Sequence, residues 1–253
     1  QFKRLGLAPG NPDGTYVQAV PLIGFKAEAT AAFTVKGAPM PLAVPDDAVV
    51  VSRQGLPEVT VANAPVIFVG YGVVAPEYDW DDFKGVDVRG KTIVMLAGDP
   101  PVPDPANAAA LDPKVFKGTA LTYYGRWTYK YEMAARKGAA AAVIVHETAP
   151  AGYGFDVVKA SWGRENFGLA GPDEASKHAP VDAWITLDRA MALFAACGQD
   201  YAALKSRAAT RAFKPVTLGA TASFSVRNAT RSVSSRNVIG RLEGRDPALA
   251  HEY

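Results

Sequence analysis

A chain of 253 residues, 49% hydrophobic and 21% charged, can hold one large domain or a domain with attached pieces, and that composition excludes a disordered chain. Lys and Arg number 27 against 25 Asp and Glu, a net charge of +2, which gives no basis for a nucleic-acid partner or an anionic membrane surface. The longest apolar run, Gly138 to Val145, is far below the roughly 20 residues a membrane-crossing helix needs, so no span is expected.

The chain opens at Gln1 on FKRLGL, which reads as the last turn of a helix stopped by Gly6; a signal peptide or an earlier segment is expected to have preceded it. A turn-rich loop from Pro9 to Gly14 leads into a strand over Tyr16–Phe25. From Ala27 to Asn63 short strands alternate with Pro39, Pro41, Pro45, Gly55 and Pro57. APVIFVGYG, ending at Gly72, is the first strongly apolar strand, and KTIVMLA, Lys91 to Ala97, is the second. Between Asp99 and Gly118 five prolines exclude a helix and predict a surface excursion.

Leu121 to Glu147 joins an aromatic loop, an Ala-rich helix stopped at Gly138 and the unbroken apolar strand AAAAVIV. The glycine-rich stretch from Gly152 to Pro172 reads as irregular, with the capacity to line a site. VDAWITL is a strand; Asp188 is expected to cap the helix RAMALFAAC, which stops at Gly198, and Asp200 to cap YAALKSRAA. The chain then returns to strand in VTLGATASFSV and SVSSRNVIGRLEG. Strands outnumber helices, which favours a β-rich sandwich with a few covering helices over a doubly wound nucleotide-binding sheet.

Chemistry-bearing motifs are thin. His146, His178 and His251 are the only histidines, and His146-Glu147 lacks a second histidine four residues on, so the helical zinc-protease pattern fails. His146, closing a buried strand, reads as locally hydrogen-bonded rather than as a ligand. Glu77, Asp79, Asp81 and Asp82 do not make a calcium loop, because Gly85 is misplaced and no glutamate closes it. They read instead as wet carboxylates around a turn anchored by Tyr78, Trp80 and Phe83.

Ser161 lacks the glycine of a nucleophile elbow, and Gly70 and Gly72 read as a bend rather than a dinucleotide loop. Cys197, the single cysteine, precedes Gly198 at a helix C-terminus, where the dipole disfavours a thiolate; it reads as a structural thiol. Arg227, Arg231, Arg236, Arg241 and Arg245 alternate with acids and read as a solvated face, and Asn228-Ala229-Thr230 matches a glycosylation acceptor too common to weigh.

Arg126 and Trp127 remain. The plain reading stacks Arg126 on a neighbouring ring and packs Trp127 against the helix. The functional one offers a guanidinium, beside aromatics at a loop tip, to a carboxylate or peptide carbonyl of a ligand.

VIFVGYGVVAPEYDWDDFKGVDVRGKTIVML and TYYGRWTYKYEMAARKGAAAAVIVHETAPAGY resemble the paired strands and the central loop, helix and strand of the protease-associated (PA) domain in zinc-dependent aminopeptidases. That family includes bacterial leucine aminopeptidases, glutamate carboxypeptidase and the transferrin receptor. FKRLGLAPG and SSRNVIGRLEGRDPALAHEY are similar to the flanks where such a domain leaves and re-enters its peptidase.

The resemblance implies an α/β class, a PA-type sandwich in β/β/α layers. It divides the chain into a peptidase-domain edge (1–28), the PA domain (29–226) and a strand and turn returning to the peptidase (227–253). It implies a secreted or periplasmic parent that removes N-terminal residues from peptides with two zinc ions, whose ligands lie in the parent beyond this text. In this chain it implies no catalytic residue, no metal ligand and no cofactor. Its implied partners are the peptidase domain of the same protein and a peptide substrate, with Arg126 and Trp127 as substrate-binding residues. The alternative is a stand-alone peptide- or protein-binding module.

Overall fold

In the computed structural model, residues 1–171, 174–246 and 248–249 are described. They form two compact units: Gln1–Gly24 with Phe167–Gly171 and Arg231–Tyr253, and Phe25–Asn166 with Pro172–Thr230.

The elements run in chain order as β1 (Val17–Val35), β2 (Ala38–Leu42), β3 (Ala48–Val51), β4 (Glu58–Phe68) and β5 (Thr92–Leu96). Helix α1 (Trp127–Arg136), β6 (Ala141–His146), α2 (Phe155–Trp162), β7 (Asn166–Leu169) and β8 (Val181–Thr186) follow. Helices α3 (Leu187–Ala196) and α4 (Tyr201–Ala208) precede β9 (Val216–Val238). The unit boundaries at residues 24 and 230 fall inside the long strands β1 and β9.

The protein is β-rich, 40% strand against 20% helix. In the second unit the strand order is β1-β9-β4-β5-β6-β8-β3, with β2 added to β1. β4, β5, β6 and β8 are parallel: Phe68 faces Val94, Val94 faces Val143, and Val143 faces Ala183. β9 closes one side antiparallel to β4, and β3 the other, antiparallel to β8.

Sequence accounts for this difference in direction. Every residue of β5 and β6 is buried, the pattern of strands covered on both faces, which helical crossovers produce. β9 instead alternates buried and open positions from Leu218 to Val226, as an antiparallel strand with one wet face does.

Helix α1 is the crossover from β5 to β6. It ends where Gly138 takes φ 71°, and the amides of Gly138 and Ala139 return to the carbonyls of Ala135 and Ala134, closing the last turn. The fully buried Phe68 meets Phe194 of α3 and Phe213 edge-on at 5.2 and 5.7 Å, which fixes α3 against the sheet.

Several expectations need correction. The stretch after Gly152 is not irregular: Gly154 and Gly163 bracket the eight-residue α2, and β7 follows. A helix this short has no room to display a full period, so its bracketing glycines dominate the reading. The Asp99–Gly118 excursion carries a small hairpin, Pro103–Asp104 with Asn107–Leu111. The cap of α3 is Thr186, whose hydroxyl accepts from the Arg189 amide, with Asp188 inside the first turn; Asp200 caps α4 as expected, accepting from Ala203.

The first unit holds the 3-10 turn Phe2–Leu5, closed by Gly6 at φ 75°, and a short antiparallel pairing of Ala8–Pro9 with Gly240–Arg241. Tyr16 donates its hydroxyl to the Leu7 carbonyl at 2.6 Å. All buried hydrophobic side chains among the described residues belong to the second unit.

Candidate functional site

The carboxyl ends of β5 and β6 open beside the start of α1, and a cavity of about 300 Å³ lies there, lined by Gly98, Arg126, Trp127, Lys130, Tyr153, Trp184 and their neighbours. Ligands of parallel sheets collect at this edge, because the strands stop there and loops and helix starts converge.

The approach loop is held rigidly. Asp99 accepts from the Thr122 amide and hydroxyl, both at 2.7 Å. Gly125 leaves no room for a side chain: a Cβ would stand 2.8 Å from the Asp99 nitrogen. Tyr124 donates to Glu77 at 2.6 Å and meets the Tyr129 ring edge-on at 5.0 Å, while Tyr123 bonds to Glu132. Arg126 is the N-cap position of α1, in extended conformation, and no side chain caps that helix.

Both residues singled out in the sequence therefore line one cavity. Trp127 is 38% exposed and leans edge-on against Tyr131 and Trp162, so its packing follows the plain reading. Arg126 is exposed, and no ring stacking or ion pair of its guanidinium occurs among the described residues.

Sequence reasoning missed the groups beneath. Lys130 is wholly buried; its ammonium donates to the carbonyls of Tyr71 at 2.5 Å and Gly98 at 2.9 Å. Burial pushes it down to about 8, opposed by the charges of Asp82 and Asp99. Asp82, expected to be wet, is buried and accepts from the Val73 amide at 2.9 Å and the Trp80 indole at 2.8 Å. Burial raises it to about 7 against the pull of those two donors and of Lys130.

Lys130, through its bond to the Tyr71 carbonyl, ties the loop after β4 to the first turn of α1 and so to the cavity it lines. A signal existed in Asp82 following Trp80, since a buried indole N–H needs an acceptor. Lys130 gave none, because the YKY triplet at the start of α1 is buried on all three residues.

The histidines do not converge. His146 sits among the rings of Tyr153, Phe155 and Trp184; the nearby backbone hydrogen-bonds its imidazole, as the local reading expected, while its Nε2 is buried without a hydrogen-bond partner among the described residues. Burial holds it below the usual histidine range, with the Tyr153 backbone opposing. His178 Nδ1 lies 2.7 Å from Asp182, whose carboxyl burial raises; Arg53 lies over the Phe25 and Trp162 rings. His251 is outside the described residues. No group of three His, Cys, Asp or Glu suited to a metal ion occurs among the described residues.

Ser161 bonds back to the Val157 carbonyl of its own helix, and burial raises the Cys197 thiol. The Asn228 amide donates to the carbonyls of Ser52 and Leu56, so the acceptor nitrogen of the glycosylation triplet is engaged in the fold. No described helix is long and apolar enough to cross a membrane.

No protein-family model matches the chain, and no curated protein does. Among solved structures it is similar to an aminopeptidase from Aneurinibacillus sp. strain AM-1, at 17% identity and a TM-score of 0.39. The match covers 97% of this chain and 41% of that one, so the chain spans about two-fifths of its length.

Proposed function

We propose that this chain is the non-catalytic PA part of a zinc aminopeptidase, a PA-type sandwich that forms a wall of the substrate cleft and restricts or holds the peptide. In this reading residues 29–226 are the PA domain, while 1–28 and 227–253 belong with a peptidase domain of the same secreted or periplasmic protein.

One observation carries it. The first unit contributes no buried hydrophobic side chain among the described residues, yet Leu5, Val17, Phe167, Leu169, Val238, Leu242 and Leu249 stand exposed on it, between 45% and 78%. A body that fully buries no apolar side chain has little to offset its ordering entropy, and so many open apolar side chains mark a surface made to be covered. The proposed cover is the peptidase domain. The described residues do not suit a zinc pair, so the two zinc ions of this reading, and the polarising of the scissile carbonyl they supply, belong to the parent; no step of hydrolysis is assigned here. Arg126 and Trp127 are this chain's offering to the peptide.

The test is amide hydrogen exchange of the chain alone and of a longer protein that includes its flanking coding sequence. Amides of 1–24 and 231–246 should exchange rapidly in the chain alone and slow strongly in the longer protein. Equal exchange in both would sink the reading. A second reading, a stand-alone peptide-binding module, draws on the cavity lying wholly in the second unit, which has its own core. It predicts micromolar peptide binding by calorimetry without any peptidase half.

A further inference from the structure

We propose that residues 148–155 form a gate between two cavities at the carboxyl edge of the sheet, and that its opening joins them into one trough and bares the His146 imidazole. This goes beyond the lid reading and does not rest on it, since every residue involved belongs to the second unit.

Position makes the segment a partition. Pro150, Ala151 and Tyr153 line the cavity of about 300 Å³ beside Arg126 and Trp127. Thr148, Ala149, Pro150 and Phe155 line a second one, of about 410 Å³, together with His146 and Asp188. Behind the partition the His146 ring meets those of Tyr153 at 5.5 Å, Phe155 at 5.6 Å and Trp184 at 6.1 Å. Two members of the partition, Tyr153 and Phe155, are thus what covers the imidazole.

The ends of the segment are fixed and its middle is not. Glu147 accepts from the Tyr201 hydroxyl at 2.8 Å and pairs with Lys205, while on the far side Val158 and Trp162 are buried. From Glu147 to Val157 every side chain is half-buried or exposed. The backbone bonds there are local: Ala151 donates to Glu147, Gly152 to Thr148 and Val157 to Gly154. Across the gap, the Tyr153 backbone bonds to the His146 ring. A stretch that buries no side chain and bonds chiefly to itself opens at low cost, without the sheet beneath it unfolding. Gly152, left-handed at φ 77°, closes the short helix Thr148–Ala151, and Gly154 precedes α2, so the backbone is free to turn on both sides of Tyr153.

The shut state carries a cost of its own. The Nε2 of His146 and the Nε1 of Trp184 are enclosed without a hydrogen-bond partner among the described residues, and neither reaches a cavity while the gate is closed. Swinging Tyr153 and Phe155 away lets water pair with the imidazole nitrogen, which offsets part of the ring contacts that opening gives up.

Two measurements on the full chain test it. Diethyl pyrocarbonate acylates the neutral imidazole, the form that burial favours at His146, and peptide mass spectrometry reads this residue apart from His178 and His251. His146 should be modified in buffer at a rate that stays flat at low urea, because opening a short segment exposes little surface. Amides of 148–155 should exchange at least about a hundredfold faster than those of β6. Gly152→Ala adds a Cβ that meets nothing within 4 Å but strains the left-handed backbone of the shut gate, and it should raise the His146 rate about fivefold. Modification that rises only along the global unfolding slope, or amides of 148–155 protected as well as β6, would overturn the proposal. So would fast exchange with His146 unreactive, since motion that never bares the ring is no gate, or a His146 rate that Gly152→Ala leaves unchanged.

Discussion

Replacing Lys130 with methionine is expected to destabilise the protein by about 3–5 kcal/mol at pH 7.5, read from urea unfolding, although the substitute is similar in length and more apolar. The wild-type ammonium satisfies the carbonyls of Tyr71 and Gly98 and faces Asp82 from a fully buried position. Methionine leaves both carbonyls unpaired and takes away a positive charge that favours ionised Asp82, and those losses exceed the gain from removing a buried charge. The loss should shrink at pH 6, where Asp82 binds a proton and needs no cation. It should shrink too in the double variant with Asp82→Asn, the signature of coupled neighbours. A loss below about 1 kcal/mol at both pH values would mean that Lys130 is not what holds α1 to the loop after β4.

The second large effect is in the pH profile. Asp82 ionises near the ordinary carboxylate value of 3.8 when unfolded and near 7 when folded, so between those values unfolding releases a proton and stability falls as pH rises. Its contribution is full below 3.8 and gone above about 7, on the order of a few kcal/mol. Lys130 has the mirror behaviour: its folded value near 8 lies below 10.5, so stability is regained as pH climbs from 8 towards 10.5. The two together place a trough between about pH 7 and 8. Asp182, which burial also raises, adds a fall of the same sign on the acid side, so the test is the difference between wild type and Asp82→Asn. The asparagine variant should lose much of the decline from pH 4 to 7; an unchanged slope would remove Asp82 from the account.

What the sequence disclosed follows from where its signals were local. The run ending at Gly138 and continuing through AAAAVIV gave α1 and β6, because a helix stop and an unbroken apolar strand need no knowledge of distant residues. Asp200 was legible as a cap for the same reason, whereas Thr186 was hidden as the last residue of a strand and Asp188 looked the better candidate. The parallel centre of the sheet was not legible, since an apolar run of five or six residues does not state the direction of its neighbour.

The site divides in the same way. Arg126 and Trp127 stood out as a charged and aromatic pair at a helix start, and both line the cavity. Trp184 did not, because a tryptophan within VDAWITL looks like core, and only the three-dimensional count of donors and acceptors shows its N–H without a partner. Asp82 and Lys130 are 48 positions apart in the chain, and nothing in either neighbourhood names the other. Asp82 looked solvated alone; burial lets its charge and that of Lys130 act on each other.

The central claim, that this polypeptide shapes a peptide site but performs no hydrolysis, is tested most directly by turnover of aminoacyl p-nitroanilides on the purified chain with added zinc, alongside metal analysis after exhaustive dialysis. No turnover above the metal blank and no stoichiometric retention of a transition metal are expected. Zinc held at one or two ions per chain, with turnover that a chelator abolishes, would contradict it.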